Sequence, residues 1–326
     1  MKVAKDMALR RMVGGILGLA CLAFAQPAQL LVLNKEGTLA FVDADTRKVI
    51  AKTPTGEGPH EVAVTEDSKY AVVSNYGNGR TLSVIDTASR KEVHRADISP
   101  LRSPHGLFAA DGKVYVTAEG SSAIGRYDPV ANRIDWTKQT GQSGTHMVIV
   151  SQDRQRIFTT NMGSGTVTIF EHKGGDNWST KQVTVGAGAE GFDLSPDQRT
   201  LWVANGNDGT VSIVDIASAA TIATVNVATR HSNRLKFTPD GKRVLISDYD
   251  TGELSVIDVA SRQTLKRIRV GRGLAGLLVE PGGARLYAAA TNDNFVAVID
   301  LAKMEVIARI ATGNGPDGMA WLPAKN

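Results

Sequence analysis

The chain has 326 residues, 21% of them charged, with a formal net charge of +4 and a mean hydropathy of −0.12. These values fit a soluble globular protein and exclude a disordered one. Glycine is abundant at 33 residues and proline modest at 11, as expected where many tight turns are needed.

In chain order, the first element is a leader. Lys2, Lys5, Arg10 and Arg11 precede an apolar run from Met12 to Phe24, and Ala23-Phe-Ala25 forms a small-x-small cleavage site before Gln26. That is the layout of a secretory signal peptide, and the run is shorter than the ~20 residues a membrane span needs. Residues 1–25 are therefore expected to be removed, leaving a periplasmic or secreted domain over residues 26–326 with no membrane span. Cleavage takes away Cys21, the one cysteine, and with it any disulfide or thiolate chemistry. It also removes four basic residues and Asp6, which brings the charge from +4 to about +1. No basic run or aromatic-basic stripe remains, so nucleic acid is not an expected partner.

The mature chain is periodic. Thr81-Leu-Ser-Val-Ile-Asp86-Thr-Ala-Ser89 returns as Thr210-Val-Ser-Ile-Val-Asp215-Ile-Ala-Ser218 and as Leu254-Ser-Val-Ile-Asp258-Val-Ala-Ser261. With looser copies ending at Asp43, Asp128, Glu171 and Asp300, the acidic markers fall at intervals of 43, 42, 43, 44, 43 and 42 residues. Each period reads as four short strands, as in 58–64, 70–74, 81–85 and 92–96, separated by turns rich in Gly, Asn, Asp and Ser. The acidic markers cap the turn after the third strand with their own side chains. Four strands every ~43 residues make a β-propeller blade, and seven markers make seven blades. Leu30–Leu33 and Thr38–Val42 lack a preceding first strand, which the C-terminal stretch 315–321 supplies. The predicted fold is thus an all-β, seven-bladed propeller of four-stranded antiparallel blades, closed by the C-terminal strand, with no open ring edge.

A second strand ending in Asn before a Gly turn, as in Trp202-Val-Ala-Asn205-Gly-Asn-Asp-Gly209, resembles the YVTN β-propeller repeat, as does Val-Ile-Asp followed by Ala-Ser. The resemblance covers residues 30–323. It implies membership of a lactonase-like set of propellers that also includes surface-layer domains, exported binding proteins and haem-d1 domains. Fold alone does not choose among these. The chain has no C-x-x-C-H segment of the kind that accompanies haem-d1 domains.

Aligning the blades exposes positions that break the repeat. The opening position of the first strand reads His60, His105, His146, Glu190, Asn233, Ala275 and Asp317 from blade two round to blade one. Three of the six histidines occupy this one position, at the mouth of the central channel. Asn75, Asn161, Asn205 and Asp248, at the ends of second strands, are expected on the same face, with His231 and Arg234 as cationic donors beside Asn233. His60, His105, His146 and Glu190 are the candidate divalent-metal ligands, or the acid and base of a metal-assisted reaction; Zn, Mg, Ca, Mn, Fe and Cu are not distinguished. Equally open is a capping role, since Pro precedes both His60 and His105 in what reads as a recurring local turn. His94 and His172 read as surface residues. No G-x-S-x-G elbow occurs, and the Gly-rich turns lack the strand-helix setting of a phosphate loop, so no nucleotide cofactor is expected. Three functions follow: a metal-dependent hydrolase or lyase of lactone-like substrates, a non-catalytic binder of a small ligand, or a scaffold for an envelope protein. A monomer is expected.

Overall fold

A computed structural model describes residues 26–77 and 79–325; the leader read in residues 1–25 lies outside the described residues. Twenty-eight strands form seven four-stranded antiparallel sheets, with two short 3-10 turns and no α-helix among the described residues. No described helix is long and apolar enough to cross a membrane.

Blade two shows the pattern: Pro59–Val64, Tyr70–Asn75, Thr81–Asp86 and Lys91–Asp97, hydrogen-bonded in that order from the channel outward. Blades three to seven repeat it, and their first strands are Pro104–Ala110, Thr145–Val150, Ala189–Leu194, Ser232–Phe237 and Leu274–Val279. Blade one takes its first strand from the C-terminus, Pro316–Leu322, which pairs antiparallel with Gln29–Asn34. The ring closes as the sequence predicts. The seven first strands neighbour one another around the channel.

Second and third strands read as continuous apolar runs because both of their faces are buried between blades. Along Gln29–Asn34, Leu30 and Val32 pack towards blade seven, whereas Leu31 and Leu33 pack towards blade two. This period-two alternation generates seven apolar clusters, one at each blade-to-blade interface. The large aromatics Tyr115, Phe158, Trp202 and Tyr287 belong to these clusters, and the fourth strands of blades three and seven alternate between exposed and more buried residues.

The turn markers act as caps. Asp86 Oδ1 accepts from the backbone N–H and the hydroxyl of Ser89, both at 2.7 Å; Asp215 does the same with Ser218 and Asp258 with Ser261.

Candidate functional site

Blades two, three, four and six each fix the channel-mouth residue of the next blade. There the penultimate residue of the second strand carries a hydroxyl that donates to the backbone carbonyl of that residue. Ser74 holds His105 O at 2.7 Å, Thr117 holds His146 O at 2.5 Å, and Thr160 holds Glu190 O at 2.7 Å. Close approach of first strands completes the arrangement. A Cβ on Gly106 would stand 2.6 Å from His146 O, so only glycine lets these strands meet there.

The structure brings His60, His105, His146, Glu190, Asn233 and Asp317 together around one cavity of about 260 Å³. The His105 and His146 rings stack at 3.8 Å between centroids, with His60 4.9 Å from His105. Tyr76 packs on both, 4.8 Å from His60 and 5.3 Å from His105. His146 bonds the Glu119 carboxylate through Nδ1, and the Tyr76 hydroxyl donates to the other Glu119 oxygen at 2.6 Å. His146 Nε2 lies 3.7 Å from Glu190 Oε1, beyond hydrogen-bond range, and is buried without a partner. His105 Nδ1 is likewise buried and unpartnered.

Glu190 is the hub of the opposite wall. It accepts from Asn233 Nδ2 and from Arg234 Nη1 at 3.3 Å, and it holds His231 Nε2 at 3.3 Å. Arg234 reaches across the channel to Glu61 at 2.7 Å, so a buried ion pair forms the floor of the mouth. Below that floor lies a second cavity of about 160 Å³ with mostly apolar walls, including Phe108, Met147 and Phe192. On the remaining side, Lys35 stands 3.2 Å from Asp317, and His60 Nε2 stands 4.0 Å from it.

The charges follow from these contacts. Burial drives the His105 pKa well below that of a free imidazole, and the neighbouring His146 adds to the effect, so His105 is neutral. His146 is also buried, yet its contacts with Glu119 and Glu190 outweigh burial and raise its pKa. Burial opposes ionisation of Glu190, but the nearby His146, the contact with His231 and the charge of Arg234 bring its pKa down to about 2. Tyr76 is pushed up to about 12, first by burial and then by the Glu119 carboxylate. The site therefore favours ionised Glu119 and Glu190 carboxylates beside a neutral His105, while the same carboxylates raise the pKa of His146.

Asn75, Asn161, Asn205 and Asp248 do not line the mouth; they are buried within the blades. Asn75 Nδ2 donates to Thr81 Oγ1 at 3.0 Å and to Ser83 Oγ at 3.1 Å, while its Oδ1 accepts from Gly56 N. Asn34, Asn161 and Asn205 make the same bond to Thr38, Thr166 and Thr210. In blade six, Glu253 replaces that threonine and Asp248 replaces the asparagine, accepting instead from the backbone N–H groups of Arg230, His231, Asp250 and Thr251. The mouth is lined by the next residue along: Lys35, Tyr76, Glu119, Met162 and Tyr249. The sequence reading passed over these residues, Glu119 included. His94 is exposed on an outer strand and His172 bonds Gly175 O at 2.7 Å, both away from the site.

The donor atoms of His105, Glu119 and His146 lie within 4.8 Å of one another, the one such three-residue set among the described residues. His60 and Glu190, read as metal ligands from the sequence, stand beside this set.

The propeller fold agrees with what sequence comparison finds. The model of a YNCE-like β-propeller family matches residues 109–285, more than half of the chain. The chain belongs to the YNCE-like β-propeller family. No curated protein matches it. Among solved structures, this YNCE-like propeller is similar to hydrazine synthase of Kuenenia stuttgartiensis, with a TM-score of 0.75 at 18% identity over 89% of this chain and 99% of that one. It is similar to a candidate 6-phosphogluconolactonase of Bacteroides uniformis, with a TM-score of 0.77 at 15% identity over 91% and 99%. It is also similar to the dihydro-haem d1 dehydrogenase NirN in complex with DHE, with a TM-score of 0.65 at 13% identity over 90% and 74%. At these identities the similarity carries the fold and nothing further.

Proposed function

We propose that this protein is an exported propeller that holds a divalent metal through His105, Glu119 and His146 and presents it to a small ligand entering the channel mouth. One observation carries the reading: two buried imidazole nitrogens, His105 Nδ1 and His146 Nε2, have no hydrogen-bond partner beside a carboxylate in donor range. Buried polar atoms without partners are costly, and a cation satisfies such atoms. Two imidazoles and one carboxylate suit a borderline ion such as Zn²⁺. A neutral His105 is already in the form a metal requires. Glu190, held by Arg234, Asn233 and His231, keeps the opposite wall negative and fixed. A divalent ion there would polarise a carbonyl group and acidify water.

A lactonase-like hydrolase is the more specific form of this reading. It is supported by His231, which is half-buried at the mouth and held between Glu190 and Asp250, where it can carry a proton to a leaving oxygen. Export rests on the basic, apolar and small-x-small order of residues 1–25.

Calorimetric titration of the purified protein with Zn²⁺ and Mn²⁺ tests the metal, with His105→Ala and His146→Ala as paired variants. One site, lost in both variants while the thermal transition is kept, is the expected result. Absence of a site in the wild type overturns the reading. A lactone and ester panel on the loaded protein then divides enzyme from binder.

A further inference from the structure

Three carboxylates line the channel mouth, and the fold supplies hydrogen-bond partners to two of them. Glu119 bonds Tyr76 and His146, and Glu190 bonds Asn233, Arg234 and His231. Asp317 differs. Its side chain is only 4% exposed and lines the same cavity. Among the described residues Lys35 Nζ stands 3.2 Å from Oδ2, and Oδ1 accepts no hydrogen bond. A buried carboxylate left short of donors is costly, so each such group calls for an explanation.

The nearest ring adds a second acceptor. His60 Nδ1 lies 3.3 Å from Gly58 O, which only accepts, so Nδ1 carries the proton and Nε2 the lone pair. Burial lowers the His60 pKa and keeps the ring in this neutral form. Nε2 stands 4.0 Å from Asp317 Oδ2, so two acceptors face each other across a gap that neither can close. A hydroxyl has one hydrogen and serves one of them. A tetrahedral nitrogen with bonds of about 2.9 Å spans acceptors roughly 4–5 Å apart and serves both. Blade seven places only the methyl group of Ala275 at the adjoining position of the mouth, which leaves space for such a group. The charge balance has the same sense: four carboxylates, counting Glu61 in the floor, face two fixed cations, Lys35 and Arg234, which disfavours an anionic guest.

We propose that Asp317 and His60 form a subsite for a primary ammonium group, so that the ligand of the channel mouth is a small amine and not an anion. The proposal rests on the reading of the mouth as a ligand site, but it does not require the metal. Two N–H bonds go to Asp317 and one lone pair is met at His60 Nε2, all charge-assisted or directed at a neutral imidazole. Lys35 already presents an ammonium to Asp317 and is 38% exposed, so it acts as a movable stand-in that the guest displaces. The carbonyl group that a metal on His105, Glu119 and His146 would polarise then belongs to an amino-bearing compound.

The test is an NMR titration of the metal-free mature protein with butylammonium chloride, read at the His60 imidazole, with butyrate as the anionic counterpart. Asp317→Asn keeps the shape and removes the charge, and an unchanged melting temperature confirms its fold. Lys35→Met removes the competing cation. The expected result is one saturable butylammonium site that weakens about tenfold or more in Asp317→Asn and tightens in Lys35→Met, with no site for butyrate. No butylammonium site in the wild type overturns the proposal, since water then serves the gap. So does butyrate binding at the same place, or a site that Asp317→Asn leaves unchanged or Lys35→Met weakens. A zinc titration of the wild type separates the two readings: zinc without amine sinks this proposal alone, and amine without zinc sinks the metal alone.

Discussion

At the residue scale, neighbouring positions at the end of each second strand have separate roles. The last residue of the strand is an asparagine in four blades, and in each its Nδ2 donates to the threonine that opens the third strand. Asn75→Ala is expected to cost about 1–3 kcal/mol in a denaturant melt, because it leaves buried partners unbonded, and to leave metal binding unchanged. The residue after it faces the mouth. Glu119→Gln removes one of the three proposed donors and should weaken the metal by at least the ~10–100-fold that loss of an outer-shell partner costs, measured by zinc titration. In the metal-free protein it should also lower the Tyr76 pKa from about 12 towards, but not to, its ordinary value, because burial persists when the carboxylate goes. Phenolate absorbance measures this. Asp248 supplies a pH test with a defined sign. Burial opposes its charge, but backbone donors from Arg230, Thr251 and His231 prevail and hold its pKa below the ordinary 3.8. Its contribution to stability is therefore present above pH 3.8 and is lost as pH falls through the lower folded value. The stability gap between wild type and Asp248→Asn should be open at neutral pH and close in strong acid.

At the element scale, the repeat that revealed the strands also explains which parts of the site were legible. His60, His105, His146 and Glu190 were found because a column that should be uniform differed between blades. Reading Asn75 and its equivalents as ligand donors treated a column in which asparagine recurs as functional; its recurrence in four blades reflects the bond to threonine. The adjacent column reads Lys35, Tyr76, Glu119, Met162, Gly206, Tyr249 and Thr291, so the same test of variability points to Glu119 and Tyr76. Pairwise contacts were not legible. That Arg234 of blade six bonds Glu61 of blade two depends on ring closure, which brings together residues 173 apart in sequence. The exposed aliphatics Ile50, Val93, Ile222, Leu265 and Ile307 also acquire a meaning only in three dimensions, as bulge residues of outer strands.

At the scale of the whole molecule, stability is shared among seven blade-to-blade clusters and depends on closure. Phe158 is wholly buried between blades four and five, and Phe158→Ala should lower stability by about 3–5 kcal/mol in equilibrium unfolding. Removal of residues 316–326 deletes the first strand of blade one, exposing the edge of Gln29–Asn34 and the apolar faces beside it. The truncated chain should lose its single cooperative transition and aggregate; a soluble protein with one unchanged transition would contradict that role for the strand. Closure also makes the site. It seats Asp317 beside His60 and Lys35, and it holds Glu61 and Arg234 across the channel from each other. The central claim, a metal on His105, Glu119 and His146, is tested most directly by anomalous X-ray diffraction from crystals equilibrated with Zn²⁺. The account predicts one strong peak at about 2.0–2.2 Å from the donor atoms of all three residues. No peak at the channel mouth, or a peak bonded to other residues, would contradict it.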